Sequence, residues 1–379
     1  MKFYCSLALA FCTLTIHAQD SKTIKGINTH SLELSSALYK KGENLFCSPL
    51  SLSTALAMVY AGSDGNTKAE FEKIMHYPGE ETFGQMRFID QRIESVNKNG
   101  NITLDLANAL WNRIPLKKEY EARLKNEFQA EFYPLTSEKP INEWASDKTR
   151  GKIPKVLNEG DITPDMAMVL TNAIYFKGSW LYKFDSSLTK EQNFYPSSGK
   201  KEKCELMFSE TSVFYFENTN YQLIELPYEG NEIVMEVYLP SKNSNISKML
   251  KELSSSKDVP KTYEKTKVFL PKFKMETSYD LIPAMKKMGL VSPFTDANFS
   301  KMSDAPLVIS KLLQKAFVEV KEKGTEAAAV TVVGMTLTSA LPSPVKEPKI
   351  FRADRPFYFN IKDKQNNLIL FTGIVETLL

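Results

Sequence analysis

The side chains that most often carry chemistry are scarce here and scattered. Three histidines occur, His17, His30 and His76, and none stands in a paired-ligand spacing such as H-E-x-x-H. There is no C-x-x-C, no G-x-S-x-G elbow, no Walker loop and no G-x-G-x-x-G turn. Carboxylates are plentiful, but none is set apart from ordinary solvated faces. Acid–base and nucleophilic catalysis both need a base poised beside the group it activates. The sequence offers no such set, so no enzyme, metal site or cofactor is expected.

What does stand out is a stretch of unusual composition. From Gly324 to Pro348 about 25 residues resist assignment to a helix or strand. The first half, Gly-Thr-Glu-Ala-Ala-Ala-Val-Thr-Val-Val-Gly, is small and β-branched; the second is broken by Pro342, Pro344 and Pro348. A loop that long inside a compact domain is usually functional. If its first half were drawn out as a strand, its side chains would alternate between two faces. With period two and Glu326 outward, Thr325, Ala327, Ala329, Thr331, Val333 and Met335 face inward, and none of them is charged.

Elements must carry this loop. Apolar residues at three- and four-residue spacing predict helices over 31–39, 50–60, 68–75, 83–96 and 120–132. Ser48-Pro49 suits the start of the second, since Ser caps and Pro is tolerated in a first turn. The nearly continuous apolar run 167–176 predicts a strand buried on both faces. Shorter strands are expected at 213–216, 222–226, 233–239, 267–270 and 316–321. The pair 357–361 and 368–375 flanks the polar turn 363–367. Helices first and strands after describe an α+β domain with large, largely antiparallel sheets. No repeat or linker divides the 379 residues, so a single domain is expected over 19–379.

The composition, 42% hydrophobic and 25% charged, is that of a folded protein, and a formal charge of +3 gives no reason to expect nucleic acid as a partner. Lys2, the apolar run 3–16 and Ala18 have the form of a signal peptide cut after residue 18, too short for a membrane span. A secreted, extracellular protein is therefore expected. Cys5 and Cys12 would leave with that segment, and Cys47 and Cys204 are expected as buried free thiols. Asn101, Asn245 and Asn298 lie in glycosylation sequons.

Several motifs resemble one family. Glu322-Lys323-Gly324-Thr325-Glu326-Ala327-Ala328-Ala329 looks like the hinge of inhibitory serpins. Asn44-Leu45-Phe46-Cys47-Ser48-Pro49-Leu50-Ser51 resembles the serpin shutter, and Thr171-Asn172-Ala173-Ile174-Tyr175-Phe176-Lys177-Gly178-Ser179-Trp180 resembles the strand ending at the breach. Ala353-Asp354-Arg355-Pro356-Phe357 and Ile369-Leu370-Phe371-Thr372-Gly373 are similar to the C-terminal signature. The resemblance implies three β-sheets with eight or nine helices and a reactive-centre loop at about 322–348. It implies a suicide-substrate inhibitor, a monomer whose partner is a serine protease held as a covalent acyl-enzyme.

Carried over by position, Ser48, Ser51 and Asn172 match the polar shutter, where Gln314 replaces the usual histidine. Trp180 matches the breach, with Glu322 expected to face Lys272. The family register puts the reactive bond between Thr338 and Ser339, with Leu337 and Leu341 as alternatives. No Lys or Arg lies between Gly324 and Val345, so an elastase-like or chymotrypsin-like target is expected. Only Arg87 and Arg92 are basic in 83–96, which does not support a glycosaminoglycan site. The alternative within the same fold is a non-inhibitory carrier, chaperone or storage protein.

Overall fold

A computed structural model describes residues 21–128, 130–255, 259–260, 262–325 and 347–378. The predicted signal segment lies outside the described residues. So do Glu326, Ala327, Ala328 and Ala329 of the hinge, and Leu337, Thr338, Ser339 and Leu341 around the expected reactive bond.

The chain opens with helix α1 (Lys22–Leu38), whose first turn is capped by Ser21, its Oγ accepting from the Ile24 N–H. Strand β1 (Leu45–Cys47) leads into α2 (Pro49–Tyr60), in which every residue is buried. An apolar helix with no polar face belongs inside, and α2 runs beneath a sheet accordingly. Then come α3 (Gly65–Ile74) and α4 (Glu81–Lys98), the latter burying Phe83, Met86, Ile89, Ile93 and Val96 on one face. Next follow β2 (Ile102–Asn112), α5 (Lys118–Phe128), β3 (Glu131–Pro134), α6 (Glu138–Lys148) and β4 (Met168–Ser179). Strands β5 (Lys190–Phe194), β6 (Glu202–Glu217), β7 (Tyr221–Pro227) and β8 (Ile233–Pro240) precede α7 (Ile246–Ser255). Two long strands, β9 (Thr262–Pro271) and β10 (Phe273–Asp280), are followed by α8 (Ile282–Met288) and β11 (Ile309–Lys321). The two-residue β12 (Gly324–Thr325) is followed beyond the loop by β13 (Lys349–Arg352), β14 (Phe357–Asp363) and β15 (Leu368–Val375).

Six strands form one sheet in the order β10-β11-β12-β4-β2-β3. The other nine form a continuous ladder in two parts that share the long β6. Along one edge of β6, β5 meets its beginning and β7 its end, while β9 lies along the other edge. With the six-stranded sheet these parts make the three sheets expected, and the described residues include eight α-helices.

Several predicted boundaries need correction: the strands expected at 213–216 and 316–321 are the ends of β6 and β11, which begin at Glu202 and Ile309. The first helix begins at Lys22 rather than 31, because its first turns bury Ile24 and Ile27 between polar neighbours that weaken the pattern. The helix predicted over 120–132 ends at Phe128, and Glu131–Pro134 is a strand instead. Pairing with β2 and the stacking of Tyr133 on Trp111, with ring centres 4.6 Å apart, override the local helical spacing. Among the described residues the sheets are largely antiparallel, with three parallel pairs: β2–β3, β9–β13 and β4–β11.

Candidate functional site: the seam between β4 and β11

The third parallel pair runs down the middle of the six-stranded sheet. Strand β11 pairs directly with β4 from Ile309↔Met168 to Ala316↔Ile174. Beyond that point the two separate, and β12 lies between them, antiparallel to both. Gly324 sits opposite Lys321 and Ser179, and Thr325 opposite Val320 and Gly178. The first two residues of the unusual stretch thus form a wedge at one end of the seam.

Glycine is needed at 324. Its φ of 149° is one that side chains rarely adopt, and a Cβ there would collide with the Gly178 carbonyl. Thr325 is fully buried, its Oγ1 2.7 Å from the Tyr228 hydroxyl. Tyr228 stacks on Trp180 with ring centres 4.5 Å apart. Trp180 in turn holds the β11–β12 turn. Its Nε1 donates to the Lys321 carbonyl at 2.9 Å and its backbone N–H to the Lys323 carbonyl at 3.0 Å.

Glu322 does face Lys272, at 3.5 Å, and the Thr189 hydroxyl donates to the same carboxylate at 3.0 Å. Burial opposes ionisation of Glu322, but backbone, Thr189 and Lys272 contacts outweigh it and hold its carboxyl below the usual range. Lys272 is shared with Glu205, 3.0 Å away. The turn before the wedge is therefore pinned by an indole and an ammonium.

Further down the seam lies a buried polar cluster on which the sequence expectations converge. Gln314 of β11 accepts from the Ser48 N–H at 3.0 Å, donates to the Ser48 carbonyl at 3.0 Å and donates to Asn172 Oδ1 at 3.1 Å. Asn172 of β4 donates to Ser51 Oγ and, at 2.6 Å, to Asn108 Oδ1 of β2. Ser48 Oγ donates to the Leu370 carbonyl at 2.6 Å. One amide thus ties β11 to the start of α2 and to β4 across the seam. Glutamine does this by having a donor and an acceptor on one group, without a charge that titrates near neutrality.

Asn108, Tyr228, Glu205 and Thr189 were not anticipated. An asparagine amid the apolar residues of β2 is the available signal, and the charge of Asp105 in the same run masks it. Arg92, one of the two basic residues noted in 83–96, is committed within the fold: it bonds Asp363 at 2.9 Å and Glu232 at 3.2 Å and is 10% exposed. Cys47 and Cys204 are free and buried, and burial pushes their thiols up to about 12 and about 11. Asn101, Asn245 and Asn298 are exposed, as acceptor sites must be.

With this geometry in hand, residues 25–377 match the model of the family described as serpin (serine protease inhibitor). An uncharacterised serpin-like protein of Methanosarcina mazei is 37% identical over 88% of this chain and 81% of its own length. Serpin B6 of Macaca fascicularis is 35% identical over 91% of this chain and 96% of its own. The crystal structure of tengpin, a thermophilic serpin in the native state, is 29% identical and superposes with a TM-score of 0.83 over 95% of each chain.

Proposed function

The chain belongs to the serpin family, and from that premise we propose that it inhibits serine proteases as a suicide substrate. The observation that carries the reading is the wedge. Strands β4 and β11 run parallel, and β12 runs antiparallel to both. Continuing β12 down the seam would replace one parallel ladder by two antiparallel ones, the more stable pairing per residue. The hinge residues that would follow Thr325 have the alternation a central strand needs.

In this mechanism the protease serine attacks the loop and forms an acyl-enzyme. Cleavage releases the segment after Thr325, which inserts along the seam as a strand and carries the acylated protease with it. The inhibitor contributes no catalytic group. Its residues act as a guide (the backbone of Gly324, with Thr325, Trp180 and Tyr228) and as a lock that must part (Ser48, Ser51, Asn172, Gln314). We assign the reactive bond to Thr338–Ser339, with Leu337 and Leu341 as the neighbouring choices. The absence of basic residues from 324 to 345 argues for elastase-like or chymotrypsin-like targets, because a trypsin-like pocket would leave its acidic group unpaired. The protein would act as a secreted monomer, released by cleavage after Ala18 and open to glycosylation at the three exposed asparagines.

The test is incubation of the full chain with elastase, chymotrypsin and trypsin, resolved on a denaturing gel, with the released peptide weighed by mass spectrometry. A covalent complex with elastase or chymotrypsin and a peptide beginning at Ser339 are expected. Loop cleavage without any covalent complex would instead favour the carrier or storage alternative. Stoichiometric trapping of trypsin would overturn the target class.

A further inference from the structure

A cavity of about 510 Å3 opens beside the six-stranded sheet, between α4, β2 and the C-terminal ends of α5 and α6. Its volume lies in the range of small-molecule sites. Ile93, Leu104, Leu106 and Phe128 supply apolar walls.

One side of it is an unfinished strand edge. Strand β3 pairs with β2 only from Ala109 onward, so the β2 edge before that point has no neighbouring strand. At Leu104 the gap is filled by a side chain. Its N–H donates to Asn97 Oδ1 at 2.7 Å, and its carbonyl accepts from Asn97 Nδ2 at 2.8 Å. Asn97 thus imitates the missing peptide. By strand alternation the backbone of Leu106 points the same way, and β3 supplies no partner for it. The cavity presents this amide and carbonyl to whatever occupies it.

The remaining walls are polar, with five carboxylates set against the two cations Lys148 and Arg150. Asp105 is paired with Arg150 at 2.9 Å and Glu131 with Lys148 at 2.6 Å, so both lining cations are committed. Asp90, Glu94 and Asp147 also line the space, and the mostly exposed Lys98 lies 3.8 Å from Glu94. Asp90 is half-buried and has no hydrogen-bond or ion-pair partner among the described residues.

We propose that this cavity binds a small organic cation, an ammonium carried on an apolar stem. The stem would lie against Ile93, Leu106 and Phe128. The ammonium would donate to the Asp90 carboxylate and to the open Leu106 carbonyl, a charge-assisted pairing for a carboxylate otherwise left alone. None of the wedge residues lines the cavity, but Asn108, which accepts from Asn172 of the lock, does; the site adjoins the inhibitory apparatus, and the cation reading does not rest on the proposed inhibition.

Protonation gives a second handle. Burial, with Glu94 adding to it, pushes the Asp90 carboxyl up to about 7. The other charged groups facing the space are the Asp105–Arg150 and Glu131–Lys148 pairs and Asp147. As pH falls through 7, Asp90 takes up a proton and its attraction for a cation is lost.

The experiment is isothermal titration of the intact protein with 3-phenylpropylammonium, beside the neutral 3-phenylpropanol and the anionic 3-phenylpropionate. The ammonium is expected to bind and the other two not to, with affinity rising about tenfold from pH 6 to pH 8. Asp90→Asn should weaken binding by roughly tenfold or more and remove the pH dependence. Glu94→Gln, at the exposed rim, should lower affinity less and keeps the test decisive if the first variant folds poorly. Failure of the ammonium to bind at millimolar concentration would overturn the proposal. So would equal binding of the alcohol, or an Asp90→Asn protein with unchanged affinity.

Discussion

Thr325 and Gln314 are the two side chains at which sequence expectation and structure can be pressed hardest. Thr325 is enclosed by β4, β11 and Tyr228. Thr325→Arg would have to bury a guanidinium there without a partner, at a cost on the order of 3 kcal/mol or more. Protease should still cut the loop, but the covalent complex should vanish and the variant behave as a substrate. A complex formed at the wild-type stoichiometry would contradict the wedge. Gln314 was expected as a substitute for histidine, and it makes three hydrogen bonds in place. Gln314→Ala would strand the Ser48 N–H and the Asn172 oxygen in a dry interior, costing about 2 kcal/mol, while the Ser48 carbonyl keeps the Leu52 N–H. Thermal unfolding should show a clear fall in midpoint, whereas Gln314→His should recover part of the loss.

At the scale of elements, the seam is a weak join between two stronger halves of a sheet. If the loop is nicked and its first part continues β12, new antiparallel ladders and buried threonine and alanine side chains are added. The nicked protein should therefore melt well above the intact one in calorimetry; equal melting temperatures would rule out insertion. The elements that could be read from sequence were those with one dominant signal. The nearly continuous apolar run of β4 and the 368–375 strand are examples, the latter matching β15 to the residue. Strand β2 went unread because Asp105 and Asn108 interrupt it, and each is explained only by a partner distant in sequence, Arg150 and Asn172. The first half of β6 alternates charged and buried residues, and its charges masked a period-two pattern. At the site, the resemblance supplied Trp180, Glu322 and Lys272. Tyr228 stayed hidden because a tyrosine beside Pro227 and Gly230 looks like a turn residue until Thr325 is seen against it.

The molecule as a whole should be sensitive to acid through a residue far from the seam. His30 is fully buried. Burial first, and His76 second, lower its imidazole to about 4, against a partial opposing pull from the Ile74 backbone. The unfolded chain binds this proton near 6.5 and the folded one only near 4, so between those values the unfolded state holds more protons. Stability from this group is complete above about pH 6.5 and is lost as pH falls towards 4, a total of about 3 kcal/mol. Urea midpoints measured from pH 7.5 to 4.5 should fall accordingly, and His30→Leu should flatten the slope. The nine-stranded ladder bears on the order of events during synthesis. Strand β15 lies between β14 and β1, and Leu45 pairs with Ile374, more than 300 positions later. A growing chain cannot complete that ladder until β15 has emerged, and the bait stretch is made before it. For that interval the ribosome holds a chain whose first strand waits for its neighbour, so slow, post-translational closure should govern its folding rate.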